Sequence, residues 1–172
     1  TQKNVITRFS VLTHPETGKA MLKKGYIHYV QNKGYARCHS KRDAKGNIIG
    51  EPAFCCRQKE AETRFMALVV EYLTVDPKTG KFLTDKPVEF EIKALGLSRI
   101  GYKELSQLPG DDEKVTNMDI SATMKDQTKG LKFGRMAAPA AYNRREQLKK
   151  AVLEAAKPFL DGRELHRRIG KD

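Results

Sequence analysis

Tyr26, Tyr29 and Tyr35 lie in a 41-residue stretch, Lys19 to Lys59, that carries ten Lys/Arg against only Asp43 and Glu51. Flat rings stack on unpaired bases and cations neutralise phosphates, and neither interaction requires a particular sequence. The three tyrosines are therefore candidate stacking residues, with His28 and His39 as auxiliaries. Candidate phosphate contacts are Lys23, Lys24, Lys33, Arg37, Lys41, Arg42, Arg57, Lys59 and Arg64. The arginines carry most weight, because a guanidinium both pairs with phosphate and stacks on a base. The competing reading makes some of these rings ordinary sheet residues and the lysines a solvated rim.

Cys38, His39, Cys55 and Cys56 raise a second possibility, a zinc site. Tetrahedral zinc takes four ligands, usually in pairs two to four residues apart. Here Cys38-His39 and Cys55-Cys56 are both adjacent pairs, and strand alternation would send neighbours to opposite faces. The expectation is small buried thiols and no cofactor. Asp111-Asp112-Glu113 follows a Pro-Gly turn without a partner carboxylate pattern and reads as an exposed acidic loop rather than a nuclease site. No phosphate-binding loop, nucleophile elbow or zinc-protease motif occurs, so no enzyme is expected. Three cysteines, two of them adjacent, make a poor disulfide framework, and a reducing cytoplasm fits better. No apolar run approaches the ~18 residues that cross a bilayer.

The elements that must position these residues read as a β meander followed by helices. With 172 residues, 39% hydrophobic and 31% charged, the chain suits one well-buried domain spanning 1–172. Of its +12 net charge, +8 falls in residues 19–59 and +7 in 129–172, flanking an acidic middle. If the fold joins the two basic blocks, they form a positive groove. Val5 to Leu12 is a short strand, closed by a turn at His14-Pro15-Glu16-Thr17-Gly18. Ala20–Val30 reads as a strand with a bulge near Lys23-Lys24-Gly25, and Gln31-Asn32-Lys33-Gly34 as a hairpin turn. Alternation then sets Tyr35, Arg37, His39 and Lys41 on one face against Ala36, Cys38 and Ser40. Ile48–Cys56 reads as a return strand, and Arg64–Val75 as a central strand, apolar on both faces. A half-exposed strand follows at Val88–Ile92, and another at Met118–Met124. Ser98 caps a short helix over 98–108, with Ile100, Leu105 and Leu108 on its inner side. Pro139 opens a long C-terminal helix over 139–160, its stripe Leu148, Val152, Ala155 and Phe159. Leu165 and Ile169 suit a last helical turn. The predicted fold class is mainly β with α, as an OB-type five-stranded antiparallel barrel with that long helix.

Two segments carry a resemblance. Gly46–Lys81 has a hydrophilic excursion ending in Pro52-Ala53-Phe54-Cys55-Cys56, then the Arg64–Tyr72 strand and Asp76-Pro77-Lys78-Thr79-Gly80. Val88–Ala138 has Val88-Glu89-Phe90-Glu91-Ile92, a leucine-rich helix with Tyr102 and Leu105, and Asp119-Ile120 leading to Lys132-Phe133. The order of these features resembles the single-stranded DNA-binding, helix-destabilising proteins of tailed bacteriophages, over about half the chain. The resemblance implies an OB-type fold and coating of unpaired DNA in phage replication and recombination, in the host cytoplasm. It also implies replication proteins as partners and self-association along the strand; with no long apolar run, no membrane partner is expected. Several members carry a zinc-binding subdomain in the excursion; the ligand spacing here departs from that pattern, so the metal is not carried over. Such proteins often end in an acidic tail, whereas Arg167-Arg168-Ile169-Gly170-Lys171 is basic. Two alternatives stay open: an RNA-binding regulator, and a phage protein–protein module acting on a polymerase.

Overall fold

The strand Glu62–Tyr72 (β4) organises the molecule, because Met66 to Val70 are all buried and a strand covered on both faces must be apolar throughout. The structure, a computed structural model, describes residues 5–110, 113–124 and 131–160. Along one edge of β4, Thr7–Val11 (β1) and Leu22–Val30 (β2) lie end to end, pairing with residues 69–72 and 62–67. Between them the His14–Gly18 turn loops out. Phe90–Leu97 (β5) pairs with the other edge, from Phe65↔Leu97 to Tyr72↔Phe90. Gly34–Arg37 (β3) extends the sheet from β2, Ile120–Met124 (β6) from β1, and Leu131–Arg135 (β7) from β6, every pairing antiparallel.

Alternation along β4 separates two cores. Leu68, Val70 and Tyr72 join Leu12, Met21 and Ile27 beneath the C-terminal helices. Ala67 and Val69 join Phe9, Val11, Ile120 and Phe133 on the other face, which Arg99–Gln107 (α2) closes with Leu105. Ser98 caps α2 as expected, its hydroxyl accepting from the Gly101 N–H at 3.1 Å. No helix among the described residues is long and apolar enough to cross a membrane.

A mixed α+β protein dominated by an antiparallel sheet matches the predicted class, but the barrel does not close. Seven strands are present among the described residues, and β5 and β7 are outer strands that do not pair with each other. Other expectations also change. β2 pairs with β4 in continuous register through Lys23, Lys24 and Gly25, without a bulge. Ile48–Cys56 is not a strand; Phe54–Gln58 forms a helix (α1). Ile100 is 73% exposed, and Tyr102 takes the inward role by stacking on Phe65 with ring centroids 4.0 Å apart. The long C-terminal helix is two, Ala141–Arg144 (α3) and Glu146–Ala156 (α4), broken at Arg145. Ala156 is buried where Ala155 was expected. Leu165, Ile169, Asp111 and Asp112 lie outside the described residues.

The break at Arg145 has a tertiary cause. Asp119, fully buried, forms an ion pair with Arg8 at 2.6 Å and accepts from the Ser10 hydroxyl and the Ala141 N–H. The Tyr72 hydroxyl accepts from the Tyr142 N–H. Two orphan donors of α3 are thereby tied to the sheet, which fixes this turn independently of α4.

Candidate nucleic-acid interface and metal centre

Strand register divides the tyrosines between the two faces of the sheet. Tyr29 and Tyr35 are direct cross-strand partners, so their rings share a face. They are 53% and 42% exposed and meet edge to face, with centroids 5.4 Å apart. Arg64 shares that face, its guanidinium 5.3 Å from the Tyr35 centroid and 3.3 Å from its hydroxyl. Glu62 lies 3.7 Å from the same guanidinium. Arg37, half-buried, is opposite Ile27 on this face, and exposed Lys33 sits in the hairpin turn. That turn forms because Asn32 and Gly34 adopt positive φ.

Tyr26, His28 and Lys24 point to the other face, toward the excursion. Tyr26 is half-buried and already covered: the Arg42 guanidinium sits 4.1 Å above its ring and the Lys24 ammonium 5.4 Å away. Gly46, at φ 92, packs so close that a Cβ there would overlap the Tyr26 hydroxyl. Tyr26 is thus a wall rather than an open stacking ring, which corrects its expected role. His28 is buried and cannot assist stacking either. His39, Lys41, Arg57 and Lys59 are exposed around the excursion. Phe54, 73% exposed on α1, was overlooked; its signal was an aromatic residue inside the basic block.

His28 instead belongs to a cluster with Cys38, Cys55 and Cys56, whose donor atoms all lie within 4.8 Å of one another. The Cys38 and Cys56 sulfurs are 3.3 Å apart, Cys55 is 4.0 Å from Cys38, and His28 Nε2 is 3.6 Å from Cys56. Strand alternation would part Cys55 and Cys56, but they lie on a helix. On α1, neighbours are offset by about 100° rather than 180°, so both thiols reach one point. The fourth donor is His28, from β2, and not His39. Three thiols and one imidazole make the closed donor set of a structural zinc site.

The electrostatics favour a thiolate at Cys38 and oppose one at Cys56. Burial pushes the Cys38 thiol up, but hydrogen bonds with the Ser40 backbone and with Cys56, His28 and Arg42 outweigh it and bring it down to about 6. Burial raises Cys56, and the charge of neighbouring Cys38 adds to that. Arg42 Nη2 stands 3.8 Å from Cys38 Sγ and 3.9 Å from Cys56 Sγ, while Nη1 donates to the Gly46 carbonyl. Ser40 donates to Cys56 and accepts from the Ala53 N–H, binding α1 to the strand side of the cluster.

The architecture therefore defines a mixed α+β protein with an open antiparallel sheet and a Cys/His cluster between sheet and excursion. No family model, characterised protein or solved structure matches the chain.

Proposed function

We propose that this protein binds single-stranded DNA with low sequence preference and coats it during phage replication or recombination. The observation that carries the reading is the exposed Tyr29–Tyr35 pair with Arg64 on the Tyr35 ring, beside Arg37 and Lys33. Such a platform takes any base, because every base has a π-face, while the guanidinium serves phosphate or base. The antiparallel sheet, with β5 and β7 unpaired with each other, is compatible with an OB-type relationship in which the barrel is left open. Binding unpaired strands and not duplex destabilises the duplex by mass action.

The cluster supports a structural metal as part of this function. His28, Cys38, Cys55 and Cys56 would hold zinc, which would cross-link β2, the end of β3 and α1. Three thiolates around a divalent cation leave one negative charge, and the Arg42 guanidinium beside two of the sulfurs offsets it. This proposal departs from the expectation of small buried thiols without a cofactor.

Fluorescence anisotropy with labelled single-stranded DNA, single-stranded RNA and duplex, titrated at several salt concentrations, tests the reading. The expected result is tight binding to single-stranded DNA, with log K falling against log salt at a slope of about −3.5 for five neutralised phosphates. Equal affinity for duplex refutes it, and preference for RNA moves the assignment to an RNA-binding regulator.

A further inference from the structure

A recess of about 420 Å³ opens between the excursion and the sheet, on the face opposite the Tyr29–Tyr35 pair. Its size falls within the roughly 300–1,000 Å³ of small-molecule sites. Lys24, Arg42, Lys45 and Arg99 line it against a single acid, Glu60. Three separate segments bring these cations together: β2, the excursion and the first residue of α2. The Lys45 backbone N–H donates to the Asp43 carboxylate, but the side chains of Lys24, Lys45 and Arg99 make no hydrogen bond or ion pair to a carboxylate among the described residues, so their charges exceed that of Glu60 on the lining. Ile48 and Pro52 supply an apolar wall, and the Tyr26 ring, held in place by Arg42, supplies another. Gly46, also on the lining, lets the excursion pack against the Tyr26 hydroxyl, where a side chain would overlap it.

We propose that this recess seats one nucleotide of a bound strand, its phosphate among Lys45, Arg99 and Lys24 and its base along Ile48 and Pro52. The inference rests on the single-strand reading above and adds a second, recessed subsite on the other face of the sheet. A strand reaching both sites passes around β3, the outer strand of the β2–β3 hairpin. An exposed ring pair accepts any stacked base; a walled recess with clustered cations holds one phosphate in place and sets the register of the strand. Arg42 is spoken for by Tyr26, Gly46 and the thiols, which makes it a wall of the recess and leaves phosphate to the exposed cations.

The test compares wild type, Lys45→Ala/Arg99→Ala and Tyr35→Ala in anisotropy titrations with a fluorescein-labelled thymidine oligomer across a salt series. Lys45 and Arg99 are exposed, so the double variant should keep the wild-type thermal midpoint. It should bind several-fold more weakly, with a salt slope shallower by about 0.7, the loss of one phosphate on a single strand. Tyr35→Ala should lose affinity with the slope preserved. If wild type binds the oligomer and the double variant matches it in affinity and slope, the recess is overturned while the single-strand function stands. If wild type fails to bind the oligomer, the function itself falls. If polyglutamate displaces the oligomer from wild type but not from the double variant, the recess is an acidic-protein site and the nucleotide assignment is overturned.

Discussion

At the scale of single residues, exposure decides which of the aromatic side chains can meet a base. Tyr35→Ala removes an exposed ring whose contacts are Tyr29 and Arg64, so folding should be unaffected. Loss of one base stack, about 1–3 kcal/mol, should weaken single-strand affinity by roughly 5- to 150-fold, read by anisotropy against a thermal melt. Gly46→Ala does the converse. It imposes a side chain at φ 92 and against the Tyr26 hydroxyl, and should cost about 1–3 kcal/mol in a denaturant titration. Tyr26→Phe in the same background should restore only part of that, because the backbone strain remains.

The thiols add a pH dependence of definite sign. Cys38 titrates at about 6 in the folded protein against an ordinary 9.0, so it contributes stability at high pH that disappears as pH falls through about 6. Cys56 is shifted the other way, and its effect falls above its ordinary value of 9.0. Metal-free protein should accordingly gain stability between pH 6 and 9, measured by chemical denaturation at fixed pH steps. Cys38→Ser should flatten that rise.

Among elements, two devices hold helices onto the sheet. The first is the cluster, which anchors the five-residue α1 to β2. So short a helix has no stability of its own, and the donors are what place it. Elemental analysis should find one zinc per chain, reduced well below one in Cys56→Ala. Chelation should lower the thermal midpoint of wild type but leave that variant unchanged. The second is Asp119, which receives Arg8, Ser10 and the α3 backbone together. Asp119→Asn leaves the Arg8 guanidinium buried without its counter-charge and should cost about 3–5 kcal/mol in a urea titration.

At the scale of the whole molecule, the basic block is not one surface. The sheet passes through it, with the Tyr29–Tyr35 pair on one side and the Tyr26 recess and the cluster on the other. The same turn is built twice, at His14–Gly18 and Asp76–Gly80. In each, the final glycine, at φ 67 and φ 71, closes a hydrogen bond to the first residue's carbonyl. The first loops out between the collinear β1 and β2 on one edge of β4, and the second lies where the chain reverses from β4 to bring β5 onto the other edge.

Much of this was readable from residue order. Apolar runs place β1 and β4, period-2 alternation places β5 and β6, and Ser98 marks the start of α2, because these signals are local and periodic. The basic, ring-bearing stretch was equally plain. Tertiary structure decided the rest. Alternation in β2 and β3 holds over their whole length, but only pairing shows that Tyr29 and Tyr35 oppose each other while Tyr26 turns away. The excursion has no period at all, so nothing local distinguished a strand at Cys55-Cys56 from the helix that gathers both thiols with His28 from 27 residues upstream. Donor convergence, the recess and the break at Arg145 all come from contacts between segments far apart in the chain, and such contacts leave no trace in spacing.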